Sequence, residues 1–284
     1  MDSSVIIVEF IIALVAGILG SLLGVGGGFI MVPAMTIILD IPIHYAIAAS
    51  FVGILMNSTS ASIIYLRNKM PNIRIANIMQ IVVIIGAFAG ASLSISLDKT
   101  TLSLIYSCAL IFTALIMYRK DAKKEIDLNG YFVNGSRVYK EKFIIISSYI
   151  EQVSKKKITY KIQNIKLGLI FTFIVGIYSG LFGVGGGILS VPIMNKIMKM
   201  PIKPAIATSS IIMGTTAIVG LLVFAAKGNL LNSIAIPIGI GMFFGAQIGS
   251  RVNQKIDPTR LKNIFVLLIM FIAIQMIINT VSGI

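Results

Sequence analysis

The pentapeptide Gly24-Val25-Gly26-Gly27-Gly28 occurs a second time, unchanged, as Gly183-Val184-Gly185-Gly186-Gly187. The match extends well beyond it at one offset of 159 residues. Gly17 pairs with Gly176, Val32-Pro33 with Val191-Pro192, Pro42-Ile43 with Pro201-Ile202, Ala46-Ile47-Ala48 with Ala205-Ile206-Ala207, and Ser50 with Ser209. Further along, Gly86-Ala87 pairs with Gly245-Ala246, Gly90 with Gly249, and Asp98 with Asp257. No insertion interrupts this register between Gly17 and Asp98. Apolar composition alone does not align glycines and prolines, so the chain reads as a duplication. Residues 1–118 form the first repeat, 119–166 a basic linker and 167–284 the second repeat.

The segments around the glycines are long and apolar. Hydrophobic residues make up 57% of the chain and charged residues 12%, against roughly a quarter charged in a soluble domain. Runs such as Val5–Leu23, Ala46–Leu66, Ile75–Leu97 and Ala205–Ala226 reach or approach the ~20 residues that carry a helix across a bilayer. The fold class is therefore an all-α polytopic membrane protein. Each repeat reads as five segments, in the first half 5–23, 28–39, 45–66, 75–97 and 101–118. The second segment is about 16 Å long at 1.5 Å per residue and cannot span alone. Either it forms a re-entrant hairpin with the first, the glycines at its tip, or both arms cross in a thin or tilted arrangement.

The net charge of +14 has the size of a nucleic-acid signature but not its placement. About half the basic residues lie between Arg119 and Lys166, and most others occupy short turns. In the first half Arg67, Lys69 and Arg74 surround the turn after the third segment. In the second half the bias moves to Lys196, Lys199 and Lys203, and to Arg251, Lys255, Arg260 and Lys262. Lysine and arginine mark cytoplasmic turns, so the two repeats point in opposite directions and each makes an odd number of crossings. The linker is then cytoplasmic and both termini lie outside a cell membrane. Nucleic acid is excluded as a partner; the lipid bilayer is required. The start, Met1–Ser4, lacks a positive signal region, so Val5–Leu23 reads as a retained segment. Within the linker, Tyr131–Val133, Asn134-Gly135 and Arg137–Tyr139 read as a small β-hairpin with a tight turn. Lys142–Ser154 and Lys155–Lys166 are ambiguous. They read as a solvated tether with lysines near lipid headgroups, with partner binding as the alternative.

Interrupted helices in inverted repeats place substrate at the seam between the repeats. Glycine adopts positive φ and admits close backbone approach. A helix that starts at such a break offers unpaired N–H groups and a positive dipole end to an anion. Gly26, Gly27, Gly28, Gly185, Gly186 and Gly187 are therefore candidate substrate-binding residues, with tight hairpin packing as the plainer reading. Ser50, Gly53, Asn57 and Ser60 share one face of the third segment, and Ser209 and Thr216 stand at equivalent positions in the second half. Ser50, Asn57, Ser209 and Thr216 are candidates for the pathway, or for bonds between helices. On this reading valine at Gly27 or Gly186 abolishes flux and leaves membrane insertion intact.

Gly86/Gly90 and Gly241/Gly245/Gly249 are small-xxx-small patterns for close helix contact. Arg251 reads as a topology charge or a residue of the cytoplasmic mouth, and His44 has no assigned role. Asp98 and Asp257 read as caps of the following helix. Glu9 is the only carboxylate inside an apolar run, and no Asp, Glu or His occupies a clear midplane position as a proton relay requires. Cys108, the single cysteine, permits no internal disulfide and reads as a small core residue. No nucleophile–base set, metal cluster or cofactor motif appears, so the expectation is a transporter without cofactors rather than an enzyme. A potential of about 100 mV, negative inside, drives a monovalent anion outward by roughly 2.3 kcal/mol. An exporter of anions therefore needs no relay, whereas an importer needs a coupled H⁺ or Na⁺.

Two Gly-Val-Gly-Gly-Gly stretches, each followed by Val-Pro, a turn, Ala-Ile-Ala and a serine, resemble the sulfite exporter TauE/SafE family of bacterial and archaeal membrane proteins. The resemblance covers nearly all of the chain outside 119–166. It implies outward transport of small sulfur-containing anions such as sulfite, sulfoacetate or other organosulfonates across a prokaryotic cell membrane. The linker is longer than the family pattern leads one to expect. A sulfur anion is thus the expected partner, with a homodimer left open. A non-transporting scaffold acting through 119–166 is the rival from another class.

Overall fold

The structure, a computed structural model, describes residues 3–118, 145–150, 157–253 and 258–282. The hairpin expected at Tyr131–Tyr139 and the cap expected at Asp257 lie outside the described residues. In the first half the helices are α1 (Ser3–Leu23), α2 (Gly28–Ile38), α3 (Ile43–Arg67), α4 (Ile73–Ser96) and α5 (Lys99–Tyr118). Two strands follow, β1 (Ile145–Ile150) and β2 (Lys157–Ile162). The second half contains α6 (Ile165–Phe182), α7 (Gly187–Pro192), a π-helical turn (Ile193–Ile197), α8 (Ile202–Ala226), α9 (Asn232–Val252) and α10 (Pro258–Ser282). Among the described residues six helices, α1, α3, α4, α6, α8 and α9, are long and apolar enough to cross a membrane.

Direction is visible in the packing. α3 and α8 are equivalent helices, and they lie against each other antiparallel. Phe51 packs against Phe224 with ring centroids 5.7 Å apart and planes tilted by 55°, while about two turns further along α3 the Ser58 hydroxyl donates to Ser210 O, near the start of α8. Equivalent helices can run antiparallel only if the repeats are inverted. The halves also exchange partners. α1 packs along α9, where a Cβ at Gly241, Gly245 or Gly249 would overlap the α1 backbone near Phe10, Leu14 and Ile18. α6 packs along α4, where Gly86, Gly90, Gly176 and Gly180 bring the two backbones equally close. The small-xxx-small patterns thus join one repeat to the other. α5 and α10 pack together on the flank.

The short second segment is the returning arm of a hairpin. Asn164, just before α6, donates through its amide to Ile197 O at 3.2 Å, and Gly168 lies against Met198. The far end of the α7 run therefore sits beside the start of α6. In the first half Ile11, Ile12, Val15 and Leu19 of α1 line one groove with Ile30, Pro33, Ile37 and Ile38 of α2. With α1 and α2 counted as one hairpin, three helices remain in the first half, α3, α4 and α5, an odd number as inversion requires. Pro33 lies inside regular helix, whereas its counterpart Pro192 opens the π-helical turn; a proline lacks the N–H that would hold the preceding turn.

The basic turns share one end. Met70 of the α3–α4 turn, Met198 and Met200 of the α7–α8 turn, and Tyr149, Tyr160 and Ile162 of the strands form one buried cluster. The Asn72 N–H donates to Thr208 Oγ1 at 2.9 Å across that end. The strands pair antiparallel, Ile145 opposite Ile162 and Ile150 opposite Lys157. This corrects the tether reading for these residues. Tyr160 is buried, burial pushes its phenol above the ordinary range, and Gln163 N–H donates to Met198 O at 3.0 Å. At the opposite end His44 Nε2 lies 3.3 Å from Ser94 O and 3.1 Å from Leu97 O, tying α3 to the α4–α5 turn. Asp98 caps α5, accepting from Thr101 N–H at 3.0 Å. Hydrogen bonds from the Thr101 side chain and backbone hold this exposed carboxyl below its usual range. Cys108 departs from expectation: it is exposed on the outer face of α5, because the buried face of that helix is built around Leu102, Tyr106, Leu110, Thr113 and Ala114.

Candidate functional site

Each pentapeptide breaks a helix in the same way. Gly24, Gly26 and Gly27 have φ of 68°, 94° and 79°, and Gly183, Gly185 and Gly186 have 63°, 79° and 71°. Three left-handed residues in five end the incoming helix and aim the chain back. Any Cβ-bearing residue would be strained at each of them. Gly27 and Gly186 then cap the returning helices. Their carbonyls accept from Ile30 and Met31 and from Leu189 and Ser190. The N–H groups of Gly27, Gly28, Gly186 and Gly187 have no protein acceptor among the described residues.

The two loops meet. A Cβ on Gly28 would overlap the carbonyl of Gly183, and a Cβ on Gly187 would overlap that of Gly24. The serines lock the contact reciprocally. Ser50 Oγ donates to Gly183 O at 2.8 Å and shares its proton with Ile47 O at 2.7 Å. Ser209 Oγ donates to Gly24 O at 2.7 Å. Each repeat's serine thus holds the other repeat's loop. Ile54 and Met213, equivalent residues each halfway along a 25-residue helix, pack on both loops. Both loops and both serines are buried, so the seam is closed at mid-depth.

Eight of the ten candidate residues therefore converge at one place: Gly26, Gly27, Gly28, Gly185, Gly186, Gly187, Ser50 and Ser209. The other two do not. Asn57 turns to α1, its amide donating to Gly17 O at 3.1 Å, and Thr216 donates to Met213 O of its own helix at 2.9 Å. Ser60 likewise donates to Phe243 O at 2.8 Å. In this closed state the polar stripe of α3 joins helices rather than lining a pathway.

A model of the sulfite exporter TauE/SafE family matches residues 9–276. The chain belongs to the TauE/SafE family. It is similar over nearly its whole length to proteins described as membrane transporters. Probable membrane transporter protein YunE of Bacillus subtilis is 27% identical over 278 residues, covering 95% of this chain and 97% of its own. A probable membrane transporter protein of Methanocaldococcus jannaschii is 29% identical, covering 89% and 88%. No solved structure matches. This TauE/SafE chain is accordingly a multi-pass protein of a membrane-transport family, and the glycine seam is its candidate site.

Residues that sequence reasoning missed also lie at the seam. Ile54 and Met213 share the repeat register, which is the signal that could have found them. Ser179 replaces Gly20 in that register, is buried, and has a hydroxyl without a partner among the described residues. A Cβ at Gly186 would lie 3.5 Å from that oxygen. Arg251 is exposed at the end that carries the basic turns.

Proposed function

We propose that this protein exports small sulfur-containing anions, sulfite or organosulfonates such as sulfoacetate, by alternating access about the glycine seam. The observation that carries the reading is the meeting of two glycine breaks from opposed repeats, with unpaired N–H groups at the start of each returning helix. Such groups cost free energy when sealed from water, and they complement an oxyanion where a side-chain cation would hold it too tightly. Separation of the repeats on either side would expose them to that side. The sulfur chemistry rests on the family alone. The relatives' descriptions support transport without naming a cargo.

The test is flux of radiolabelled sulfite, thiosulfate, sulfate and sulfoacetate in proteoliposomes of known polarity, with an imposed potential of about 100 mV. The expected result is saturable movement of at least one sulfur anion from the Lys69 side to the opposite side, accelerated roughly in proportion to the electrical driving force. Flux no greater than in protein-free vesicles for every anion would refute it.

A further inference from the structure

Glu9 is the anomaly of the bundle. It is 0% exposed, and neither carboxylate oxygen has a hydrogen-bond partner among the described residues. It does not face lipid. Glu9, Ala13, Ala16 and Gly20 recur at helical spacing on the inward face of α1, and all four are buried. Two turns beyond Glu9, about 10 Å, Ala16 O lies against Gly27, and Gly20 packs on Gly26 and Gly27. The carboxylate thus stands on the helix face that leads to the seam.

The repeat sharpens its surroundings. The residue equivalent to Glu9 is Gly168, whose missing side chain leaves room for Met198, with Met198 Sδ 2.8 Å from the position of its Cβ. The counterpart of Met198 is Leu39, which ends α2. Ile11 and Ile12, within a turn of Glu9, share a groove with Ile37 and Ile38, so Glu9 lies at the level of the C-terminal end of α2, where unpaired carbonyls favour a cation. A sealed carboxylate beside a negative helix end is untenable without a positive partner. Among the described residues, the ionisable groups of α2, α3 and α9 do not supply one, and Lys99 and Lys227, at the turns of the same end, are exposed. α2 has none, and α9 has only Arg251, at its far end. On α3, His44 is engaged by Ser94 O and Leu97 O, Tyr45 follows it, and Tyr65 and Arg67 lie at the other end. Asp40, in the turn after α2, is exposed and acidic itself. The ionisable residues of α10, Arg260 and Lys262, fall in its first five residues, whereas Phe271 and Gln275, further along it, line a groove together with Ile11 and Ile12 of α1.

We propose that Glu9 binds a monovalent cation, H⁺ or Na⁺, once per transport cycle and so couples the seam to a cation gradient. This rests on the transport reading above. The cation neutralises Glu9 while the first hairpin is packed against its neighbours. Its departure leaves a bare carboxylate that favours the state in which the hairpin separates and water enters. One repeat carries the carboxylate and the other a glycine, so one cation moves per chain.

The experiment uses the full chain and Glu9→Gln and Glu9→Asp variants in proteoliposomes, with sulfite, thiosulfate and sulfoacetate as probes, under a pH gradient or a Na⁺ gradient. Wild-type flux should change about 5-fold or more with one gradient, which identifies the cation. Glu9→Gln should lose that dependence and Glu9→Asp keep part of it. Wild-type flux indifferent to both gradients, or gradient dependence intact in Glu9→Gln, would overturn the proposal while leaving transport standing. If none of the anions moves, the transport reading fails, and thermal unfolding of the purified protein decides Glu9 alone. The wild type should then show a larger Tm shift with pH or Na⁺ than Glu9→Gln; equal shifts would overturn it. Should Glu9→Gln fail to fold, Glu9→Ala is read in the same two assays.

Discussion

Alanine at Gly28 or Gly187 is expected to reduce flux to background and to lower the yield of folded protein. At both positions φ is compatible with any residue, so backbone strain is not the cause. The added methyl would sit on a carbonyl oxygen of the opposite loop, and 2.6 Å from Ile54 Cδ1 or Met213 Sδ. A side chain can swing aside; the backbone of Gly183 or Gly24 cannot, because it is anchored by its own left-handed turn and by a serine. Overpacking of a tight core costs about 1–3 kcal/mol, and more when backbone must move. Here it also forces apart the two surfaces that define the closed state. Gly228→Ala is the control. Gly228 has φ of 74° with nothing within 4 Å of the added methyl, so it incurs only the left-handed penalty of about 1–2 kcal/mol and should transport normally. Normal flux in Gly28→Ala would show that the loops do not meet as described. The same geometry corrects the valine expectation. A Cβ at Gly27 would overlap Ala16 O, so Gly27→Val disrupts the hairpin rather than leaving an intact but inactive protein.

Ser50→Ala and Ser209→Ala are expected to loosen the closed seam from its two ends. Each removes the donor to a buried carbonyl of the opposite repeat, an expected cost of about 1–3 kcal/mol. For a protein that alternates between states, that corresponds to roughly a 5- to 150-fold shift in the population of the closed form. A cysteine at Ile54 should become reactive to a membrane-impermeant thiol reagent in either variant, in a background lacking Cys108, and remain protected when both serines are present. The two substitutions share one interface, so their combined effect should be less than additive once the first has opened the seam. Ser50→Thr, which keeps the hydroxyl, should retain protection if its methyl is accommodated. Equal labelling in wild type and Ser50→Ala would remove the serines from any role in closure.

The helical segments were legible because length and apolarity read directly as bilayer crossings; α1 to α5 begin and end within two residues of the expected boundaries. The glycine breaks were legible because three left-handed residues in five strongly favour glycine over any residue with a Cβ. What could not be read is which backbone oxygen a hydroxyl finds. Ser50, Asn57 and Ser60 look alike on one helical face, yet they donate to Gly183, Gly17 and Phe243 on three different elements. The exchange of α1 and α6 between repeats depends on contacts far apart in sequence, which local pattern does not encode. The strand pair was obscured by Asn134-Gly135, a stronger turn signal than the alternation of Lys157–Ile162.

The central claim is that one unit occurs twice, upside down, so that two broken helices face each other. Single cysteines at Lys69, Lys199, Lys99 and Lys227, all exposed positions, placed in a Cys108-free chain and labelled from one side of sealed vesicles, test it most directly. The account predicts that positions 69 and 199 label together from one side and positions 99 and 227 together from the other. Labelling of 69 and 199 from opposite sides would contradict it.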